Sequence, residues 1–523
     1  MPSPSALGIR PKKSAVLLLL LFAISACSQS APQPKSSASA QPTEKLSRFY
    51  NQKLAFGPCK GFGTSPSEDK LYADPRLECT RLKVPLDYDA PDGRTGQVAV
   101  LRVPAREKSA GSLLLNPGGP GGPGLPFAAA TGKALAKSPL TARFDLVGLD
   151  PRGVGATRPA ITCFTNEDYR NGDVQTEFIT SAGKFSADDT RQLVEKCEQR
   201  SGGKENLAAV GTRDTVRDLD VLRAALGEKK VTSLGQSYGT RIGALYAQAF
   251  PDRVRVMVLD GAVDPHLGSE RRLSQYAGLQ RSFDQMAADC ATRPKCPLGQ
   301  EPERATENFQ KIARQLLDKP VPYGDGQKFT YDDLVGSAIV ALYYQQTWPA
   351  LTKGLTELQA GDPSRLVKLS AVFGGRNPDG SGSNFTDANF GIGCMDEERK
   401  NPQQAGEFRQ KLYDKAPFAD PGGSREGARD TCEAWPAPPE VTYPFPSRVD
   451  GLPPILTVSI TGDPSTSYHA GVTLSKALGG SLLTVKGEQH TIAASGTNPC
   501  VNKIVADYLI NLKTPPPAAR CEV

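Results

Sequence analysis

The sequence is poor in the residues from which metal centres are built. It has three histidines in 523 residues, and no two of its cysteines form a Cys-x-x-Cys pair. Structural zinc sites usually combine such pairs with further cysteines or histidines. A metal site therefore has poor support, and we expect the protein to work without a metal or another cofactor.

The chain also lacks an excess of charge of one sign and lacks internal repeats. Its formal net charge is +6, with acidic and basic residues interspersed along the chain. A nucleic-acid-binding protein needs clustered positive charge to neutralise phosphates. The charge pattern therefore predicts neither a nucleic-acid partner nor a polybasic membrane module.

The apolar run near the N-terminus is too short to cross a membrane. It covers Ala15 to Ile24, whereas a transmembrane helix needs about 20 residues. Basic residues precede it and small residues lead into Cys27, as in a secretory signal peptide. The four residues ending at Cys27 also resemble a bacterial lipobox, although a plain signal peptide with an incidental cysteine is an alternative.

We therefore expect residues 1–26 to be a lipoprotein signal peptide. Cys27 would carry the lipid that anchors the exported protein to the cell membrane, facing away from the cytoplasm. Residues 27–45 are rich in Ser, Ala, Pro and Gln. Such a composition cannot bury enough apolar surface to fold, so this segment is predicted to be a disordered tether.

Cysteine usage agrees with export. Apart from Cys27, the chain has ten cysteines. An even number of cysteines in an exported protein indicates disulfide bonds, so we expect five. The sequence leaves the connectivity open. Pairing neighbours in chain order gives short loops, above all for Cys290 with Cys296 and Cys500 with Cys521.

Strand and helix patterns alternate in the first half of the chain. Apolar runs closed by Gly, Pro or Asp predict strands at 81–86, 97–103, 112–115, 144–149, 231–234 and 254–259. Helical spacing of apolar residues predicts helices at Thr212 to Leu226 and Gly239 to Phe250. Strands separated by helices imply an α/β fold with a mostly parallel sheet and helices on both faces.

The segment 266–448 lacks this alternation. It contains helical stretches, a Gly/Asn/Ser-rich loop and a Pro-rich exit. Strand patterns resume at 454–460 and 481–485. We therefore expect a sheet domain made of residues 46–265 and 449–523, with 266–448 inserted as a large, mainly helical lid.

A nucleophile motif lies between a predicted strand and a predicted helix. Gly235-Gln-Ser237-Tyr-Gly239 matches Gly-x-Ser-x-Gly, a turn that presents a strained serine above a sheet. The N–H of Tyr238, at the start of the helix, is available where an oxyanion would form. We expect Ser237 to be the nucleophile.

A serine needs a base, and His490 is the best placed of the three histidines. It follows a predicted strand and precedes the last helix, whereas His266 and His469 resemble surface or lid residues. Asp463 follows the preceding strand and could orient the imidazole. Because an Asp-Pro step often only starts a turn, a structural role for Asp463 is the alternative.

The sequence Asn116-Pro-Gly-Gly-Pro-Gly-Gly after an early strand could supply the second oxyanion donor. It resembles the glycine-rich loop of prolyl aminopeptidases and, more closely, that of secreted tripeptidyl aminopeptidases. Asp150-Pro-Arg-Gly, the serine motif and Asp463-Pro-Ser-Thr are similar to other signatures of that group. The sequence departs from the group at Ser467, where proline is usual, and at Gln489, where glycine is common.

The resemblance implies an α/β-hydrolase fold and a serine peptidase that acts near a free N-terminus. It makes Ser237, His490 and Asp463 the catalytic triad, with Gly119 and Tyr238 as oxyanion donors. The expected partners are peptides with a free N-terminus, whose ammonium needs a counter-charge. The candidates for this counter-charge are Asp396, Glu397 and Glu398, although acidic residues also commonly lie at exposed helix starts.

Two other functions remain open. An esterase or lipase of the cell envelope could use the same triad, because it attacks esters as well as amides. A lipoprotein that binds peptides without catalysis is the other alternative, but such a protein has no need of Ser, Asp and His in triad order. The sequence does not reveal the oligomeric state.

Overall fold

The computed structural model describes residues 44–174, 186–371, 382–425, 427–443 and 449–523. The predicted signal peptide, Cys27 and almost all of the tether lie outside these residues. The prediction of a lipid anchor therefore stays a prediction.

Strands of the described chain are numbered in chain order. They are β1 (Gly57–Pro58), β2 (Glu78–Pro85), β3 (Thr95–Val103), β4 (Ser112–Asn116), β5 (Asp145–Leu149), β6 (Val231–Gln236), β7 (Val254–Asp260), β8 (Val321–Tyr323), β9 (Gln327–Phe329), β10 (Leu456–Ile460), β11 (Ser481–Lys486) and β12 (Arg520–Glu522).

The α-helices are numbered in the same way. They are α1 (Ser47–Tyr50), α2 (Pro66–Tyr72), α3 (Gly124–Ala134), α4 (Pro139–Arg143), α5 (Asn166–Asn171), α6 (Ala187–Ser201), α7 (Lys204–Leu207), α8 (Thr212–Ala225), α9 (Gly239–Ala249), α10 (Arg271–Ala291), α11 (Ala305–Ala313), α12 (Gln315–Asp318), α13 (Tyr331–Leu342), α14 (Trp348–Gln359), α15 (Ser364–Ser370), α16 (Phe385–Asp396), α17 (Pro402–Lys415), α18 (Tyr468–Ala477) and α19 (Pro499–Asn511).

Within the described ranges, ten strands form one sheet in the order β1-β2-β3-β5-β4-β6-β7-β10-β11-β12. Strands β1, β2, β3 and β5 pair antiparallel in succession. From β5 through β4, β6, β7, β10 and β11 to β12, all neighbours are parallel. The prediction of a mostly parallel sheet is confirmed, with an antiparallel N-terminal edge that the sequence patterns did not indicate.

Helices cover both faces of this sheet. Successive strand residues point to opposite faces, and on β7 Met257 belongs to one buried apolar cluster whereas Val258 belongs to another. The first cluster contains Leu245 of α9, and the second contains Leu125 of α3 and Leu509 of α19. The strands are therefore buried on both sides, which explains their nearly continuous apolar sequences.

The chain between β7 and β10 forms helices α10 to α17 and the β8–β9 hairpin. We call the described residues of this segment the lid. Its core contains Phe283 stacked on Phe418, with ring centroids 5.1 Å apart, and Phe309 against both. The lid therefore has an apolar core of its own, while the boundaries 266 and 448 stay predictions.

Disulfide bonds join all ten cysteines of the described residues in chain order. They are Cys59–Cys79, Cys163–Cys197, Cys290–Cys296, Cys394–Cys432 and Cys500–Cys521. The expectation of five bonds is confirmed, as are the two pairs singled out from the sequence, and such bonds are typical of an oxidising compartment. None of the helices in the described chain is both long and apolar enough to cross a membrane.

Candidate active site

The turn between β6 and α9 holds Ser237 in a strained backbone conformation. Its φ is 55°, in the left-handed region that residues with a side chain rarely adopt. A Cβ on Gly235 would lie 2.4 Å from the carbonyl oxygen of Gly239, so the turn closes only with glycine there. The motif therefore forms the predicted elbow, and the Ser237 side chain lines a cavity.

The glycine-rich loop after β4 lies directly against this elbow. A Cβ on Gly118 would lie 2.9 Å from both Cβ of Ser237 and the main-chain nitrogen of Tyr238. Gly119 and Tyr238 both line the cavity. Neither main-chain N–H donates a hydrogen bond to another described residue. The two amides are therefore available to an oxyanion next to Ser237.

Asp463 and His490 form a buried pair. Nδ1 of His490 lies 3.0 and 2.9 Å from the two carboxylate oxygens of Asp463. The side chain of His490 is 8% exposed and that of Asp463 is 0% exposed. Asp463 also accepts hydrogen bonds from the main-chain N–H groups of Ser465 and Thr466 and from the Thr466 hydroxyl, at 2.8 to 2.9 Å. The carboxylate is fixed, and so it holds the imidazole in one orientation.

Burial, which lowers the pKa of His490, is outweighed by its acidic neighbours. The charge and hydrogen bond of Asp463 raise this pKa, and the charge of Asp260 raises it further, so the net shift is upward. An imidazole that is easier to protonate is a stronger base. The environment therefore suits His490 to accepting a proton.

Ser237 and His490 face the same cavity. Because Asp463 engages Nδ1, Nε2 is the ring nitrogen left for the serine hydroxyl. Within the described chain, Oγ of Ser237 forms no hydrogen bond with the ring. Bonds between nucleophile and base are often long in ligand-free sites and tighten around the substrate.

The cavity has a volume of about 720 Å³ and lies between the sheet domain and the lid. Lid helices α10, α13 and α16 contribute to its wall, together with the glycine-rich loop and residues 64–71. Cavities of this size enclose small ligands. The site can therefore take a short segment of substrate and shield it from water.

The lid also contacts His490 directly. The main-chain N–H of His490 donates to the carbonyl of Tyr343 at 2.9 Å, and the two rings lie 5.2 Å apart. Gln489, one of the two departures from the aminopeptidase group, forms an isolated β-bridge with Tyr344. Ser467, the other departure, accepts a hydrogen bond from Ala470 N–H and caps α18. Both departures are thus accommodated without displacing the triad.

The structure does not bring the three predicted ammonium-binding carboxylates to the cavity. Asp396 is fully buried and pairs with Arg241 at 3.2 Å. Glu397 pairs with Arg271 and Arg272, and Glu398 accepts a hydrogen bond from Ser269. Because Asp396 and Glu397 already have cationic partners, the cluster braces the lid rather than facing a substrate.

Other functional candidates had no sequence signal strong enough to single them out. Asp332, in the first turn of α13, lines the cavity, but acidic residues are common at helix starts. Asp260 ends β7, where an aspartate commonly marks only the end of a strand. His266 and His469 are exposed, in keeping with the surface role expected for them.

Comparisons with known proteins agree with this geometry. A family model described as alpha/beta hydrolase fold matches residues 111–492. The chain is 40% identical over 461 residues to serine protease Hip1 of Mycobacterium tuberculosis, covering 85% of this chain and 87% of that protein.

Two further relatives carry different names. Carboxylesterase B of Mycobacterium tuberculosis is 38% identical over 474 residues, with 89% of each chain covered. Tripeptidyl aminopeptidase of Streptomyces lividans is 31% identical over 461 residues, covering 84% of this chain and 82% of that protein. Since the family model and these relatives span most of the sequence, the chain belongs to the α/β-hydrolase family.

Proposed function

We propose that this protein is an exported serine peptidase that hydrolyses peptide bonds near a free N-terminus, as a tripeptidyl or prolyl-type aminopeptidase. The buried Asp463–His490 pair, facing one cavity with the strained Ser237, carries the proposal. The relatives named as a serine protease and a tripeptidyl aminopeptidase support the peptidase over other hydrolases.

The chemistry runs through an acyl-enzyme. Oγ of Ser237 attacks the peptide carbonyl carbon while Nε2 of His490 takes the hydroxyl proton. The N–H groups of Gly119 and Tyr238 stabilise the oxyanion. The C–N bond then breaks, the amine leaves with the proton from His490, and an ester on Ser237 remains. Water, deprotonated by His490, hydrolyses the ester and restores the serine.

Asp332 is the best candidate for binding the substrate ammonium. It lines the cavity, and no described residue forms an ion pair with it. Burial, followed by the neighbouring charge of Asp333, raises the pKa of the Asp332 carboxyl to about 7. An ammonium group next to this carboxylate would favour its charged form and offset the burial.

The catalytic assignment is tested with Ser237→Ala. We expect this variant to fold, to lose turnover of aminoacyl and tripeptidyl reporter substrates, and to lose labelling by a fluorophosphonate probe. Wild-type turnover in the variant would contradict Ser237 as the nucleophile.

Ammonium recognition is tested with Asp332→Asn and N-acetylated peptides. Acetylation should lower kcat/KM at least about tenfold for the wild type, the effect of one modest charge contact. Asp332→Asn should lower kcat/KM for free peptides similarly and leave acetylated peptides unaffected. The control is Asp264→Asn, which removes a different cavity-lining carboxylate, one whose Oδ1 accepts a hydrogen bond from the N–H of His266.

An envelope esterase is the second candidate, and the carboxylesterase B relative favours it. The two functions differ in the ratio of kcat/KM for acyl esters to that for free-N-terminus peptides of equal size. Cleavage of esters and blocked peptides as fast as free peptides would favour the esterase. A peptide-binding lipoprotein without catalysis would show binding with no turnover of either class.

A further inference from the structure

Asp260 is a buried carboxylate next to the active site that the triad chemistry does not use. It is the last residue of β7, its exposure is 0%, and it does not line the cavity. A carboxylate in such a place needs compensating hydrogen bonds, because burying an unpaired charge is costly. The identity of its partners therefore indicates what it does.

On one side, Asp260 holds the chain that follows the catalytic histidine. Its Oδ2 accepts hydrogen bonds from the main-chain N–H groups of Ile492 and Ala493, both at 2.7 Å. These residues come two and three positions after His490. Thr491, which lies between His490 and Ile492, has a left-handed φ of 59°. The carboxylate thus fixes the left-handed turn at Thr491, and this turn sets the position of the neighbouring His490.

On the other side, Asp260 holds the nucleophile elbow. The same Oδ2 accepts a hydrogen bond from Nε2 of Gln236 at 2.8 Å, and the main-chain carbonyl of Asp260 accepts one from the N–H of Ser237 at 2.9 Å. One residue therefore contacts both the chain around the nucleophile and the chain after the base, which are far apart in sequence.

From these contacts we infer that Asp260 is a positioning residue, whose side chain aligns His490 with Ser237 by holding both loops at the end of β7. The inference rests on the proposed roles of Ser237 and His490. Because Asp260 does not line the cavity, it should affect the catalytic step rather than substrate binding.

The electrostatic surroundings of Asp260 give the inference a second readout. Burial raises the pKa of the Asp260 carboxyl, while its hydrogen bonds with Ile492, Ala493 and Gln236 and the nearby His490 lower it. Oδ1 is buried and has no hydrogen-bond partner in the described chain. The negative charge is one of the causes that raise the pKa of His490. A residue that only stabilised the fold would leave the pH dependence of catalysis unchanged.

The test compares Asp260→Asn with a matched variant, Asp387→Asn. Asp387 is also buried, and it accepts hydrogen bonds from two consecutive N–H groups, of Cys163 and Phe164, and from the Tyr169 hydroxyl at 3.0 Å. Its partners are remote in sequence from the triad. Both variants lose a buried charge, so both should lower the free energy of unfolding. Only Asp260→Asn changes the hydrogen bonds to the chain segments that carry Ser237 and His490.

For Asp260→Asn we expect kcat for a peptide reporter to fall at least about tenfold, with KM within about twofold, because misalignment of reacting groups affects the reaction step. The acid limb of the kcat/KM profile should move to lower pH, since His490 loses a negative neighbour. Asp387→Asn should keep both kcat and the profile.

A kcat within about threefold of wild type, an unshifted acid limb, or an equal loss in Asp387→Asn would overturn the inference. If Asp260→Asn does not fold, Gln236→Leu is the second variant, because it removes one hydrogen-bond donor to Asp260 and leaves the charge of Asp260 in place. A folded Gln236→Leu protein with wild-type kcat would also overturn the inference. Ser237→Ala in the same assay separates this outcome from a failure of the proposed function, since retained activity there would contradict the nucleophile itself.

Discussion

Replacing Gly261 by alanine should disturb the Asp463–His490 pair directly. Gly261 follows β7, and an added Cβ would lie 2.8 Å from Cγ2 of Thr491, 3.1 Å from Oγ1 of Thr466 and 3.2 Å from Cε1 of His490. Carbon atoms do not approach as closely as 2.8 Å without repulsion, so Thr491 has to move. The added Cβ would also lie closer to Cε1 of His490 than normal packing allows, so the imidazole has to give way as well.

The expected effect of Gly261→Ala has two parts, one on the free energy of unfolding and one on kcat. The φ of Gly261 is +69°, and this left-handed conformation costs an alanine about 1–2 kcal/mol, which should appear in the free energy of unfolding. The displacement of His490 adds an effect on catalysis. Small misplacements of reacting groups lower rates by about ten- to a hundredfold, so we expect kcat to fall at least about tenfold.

Gly227→Ala separates these two parts. Gly227 has a similar φ of +79°, but an added Cβ there meets nothing within 4 Å. Urea unfolding should show the backbone cost in both variants and a further loss in Gly261→Ala from the clash, whereas steady-state kinetics should show a loss of kcat only for Gly261→Ala. Wild-type kcat in Gly261→Ala, or an equal kcat loss in Gly227→Ala, would refute the steric argument.

Three other outcomes are expected. Asp463→Asn should lower kcat by at least about a thousandfold in steady-state assays, because the imidazole loses the partner that orients it and stabilises its charge; a loss below tenfold would contradict this. Burial raises the pKa of Asp214 to about 6, and burial followed by the charge of Asp214 raises that of Glu440 to about 7. The folded state thus binds these protons more tightly than the unfolded state, so the contribution of these two groups to the free energy of unfolding should fall as pH rises from about 4 to 7. Glu440→Gln should reduce that fall in urea titrations, and an unchanged slope would count against it. Cys27→Ala should move the protein from the membrane fraction to the soluble exported fraction, and an unchanged distribution would exclude the anchor.

Local sequence signals predicted the parts of the site that depend on neighbouring residues. The elbow needs glycine two positions before and after Ser237, which is visible as a motif because Gly235 and Gly239 approach each other across one turn. Ser237, Asp463 and His490 each follow a strand pattern and occur in the chain order of the fold. This was enough to predict that Ser237 lies in one site with residues more than 200 positions later in the chain. The number of disulfide bonds was predictable from the even count of cysteines, and the short spacing of Cys290 and Cys296 favoured that pair.

The sequence was insufficient wherever the partner is distant and carries no motif. Asp396 and Glu397 resembled a free acidic cluster, but Arg241, Arg271 and Arg272 neutralise them from helices that lie more than 120 residues earlier. The antiparallel pairing of β3 with β5 was likewise not predictable, because the pattern of apolar residues in a strand does not specify which strand lies next to it or in which direction. Periodicity identifies a strand and its buried faces, whereas the neighbour is set by tertiary packing.

The contacts of His490 also indicate which parts of the site can move without dismantling it. Asp463 and Asp260 both belong to the sheet domain, and their hydrogen bonds to the ring and to the following loop are buried. The lid contributes a main-chain hydrogen bond from His490 N–H to Tyr343, the contact between those two rings, and a hydrogen bond from Arg281 to the main-chain carbonyl of Asp463. A typical hydrogen bond contributes about 0.5–1.5 kcal/mol, so separating the lid here costs several such contacts. The imidazole is thus oriented mainly by residues of the sheet domain, and a lid movement that admitted a peptide would leave those contacts in place.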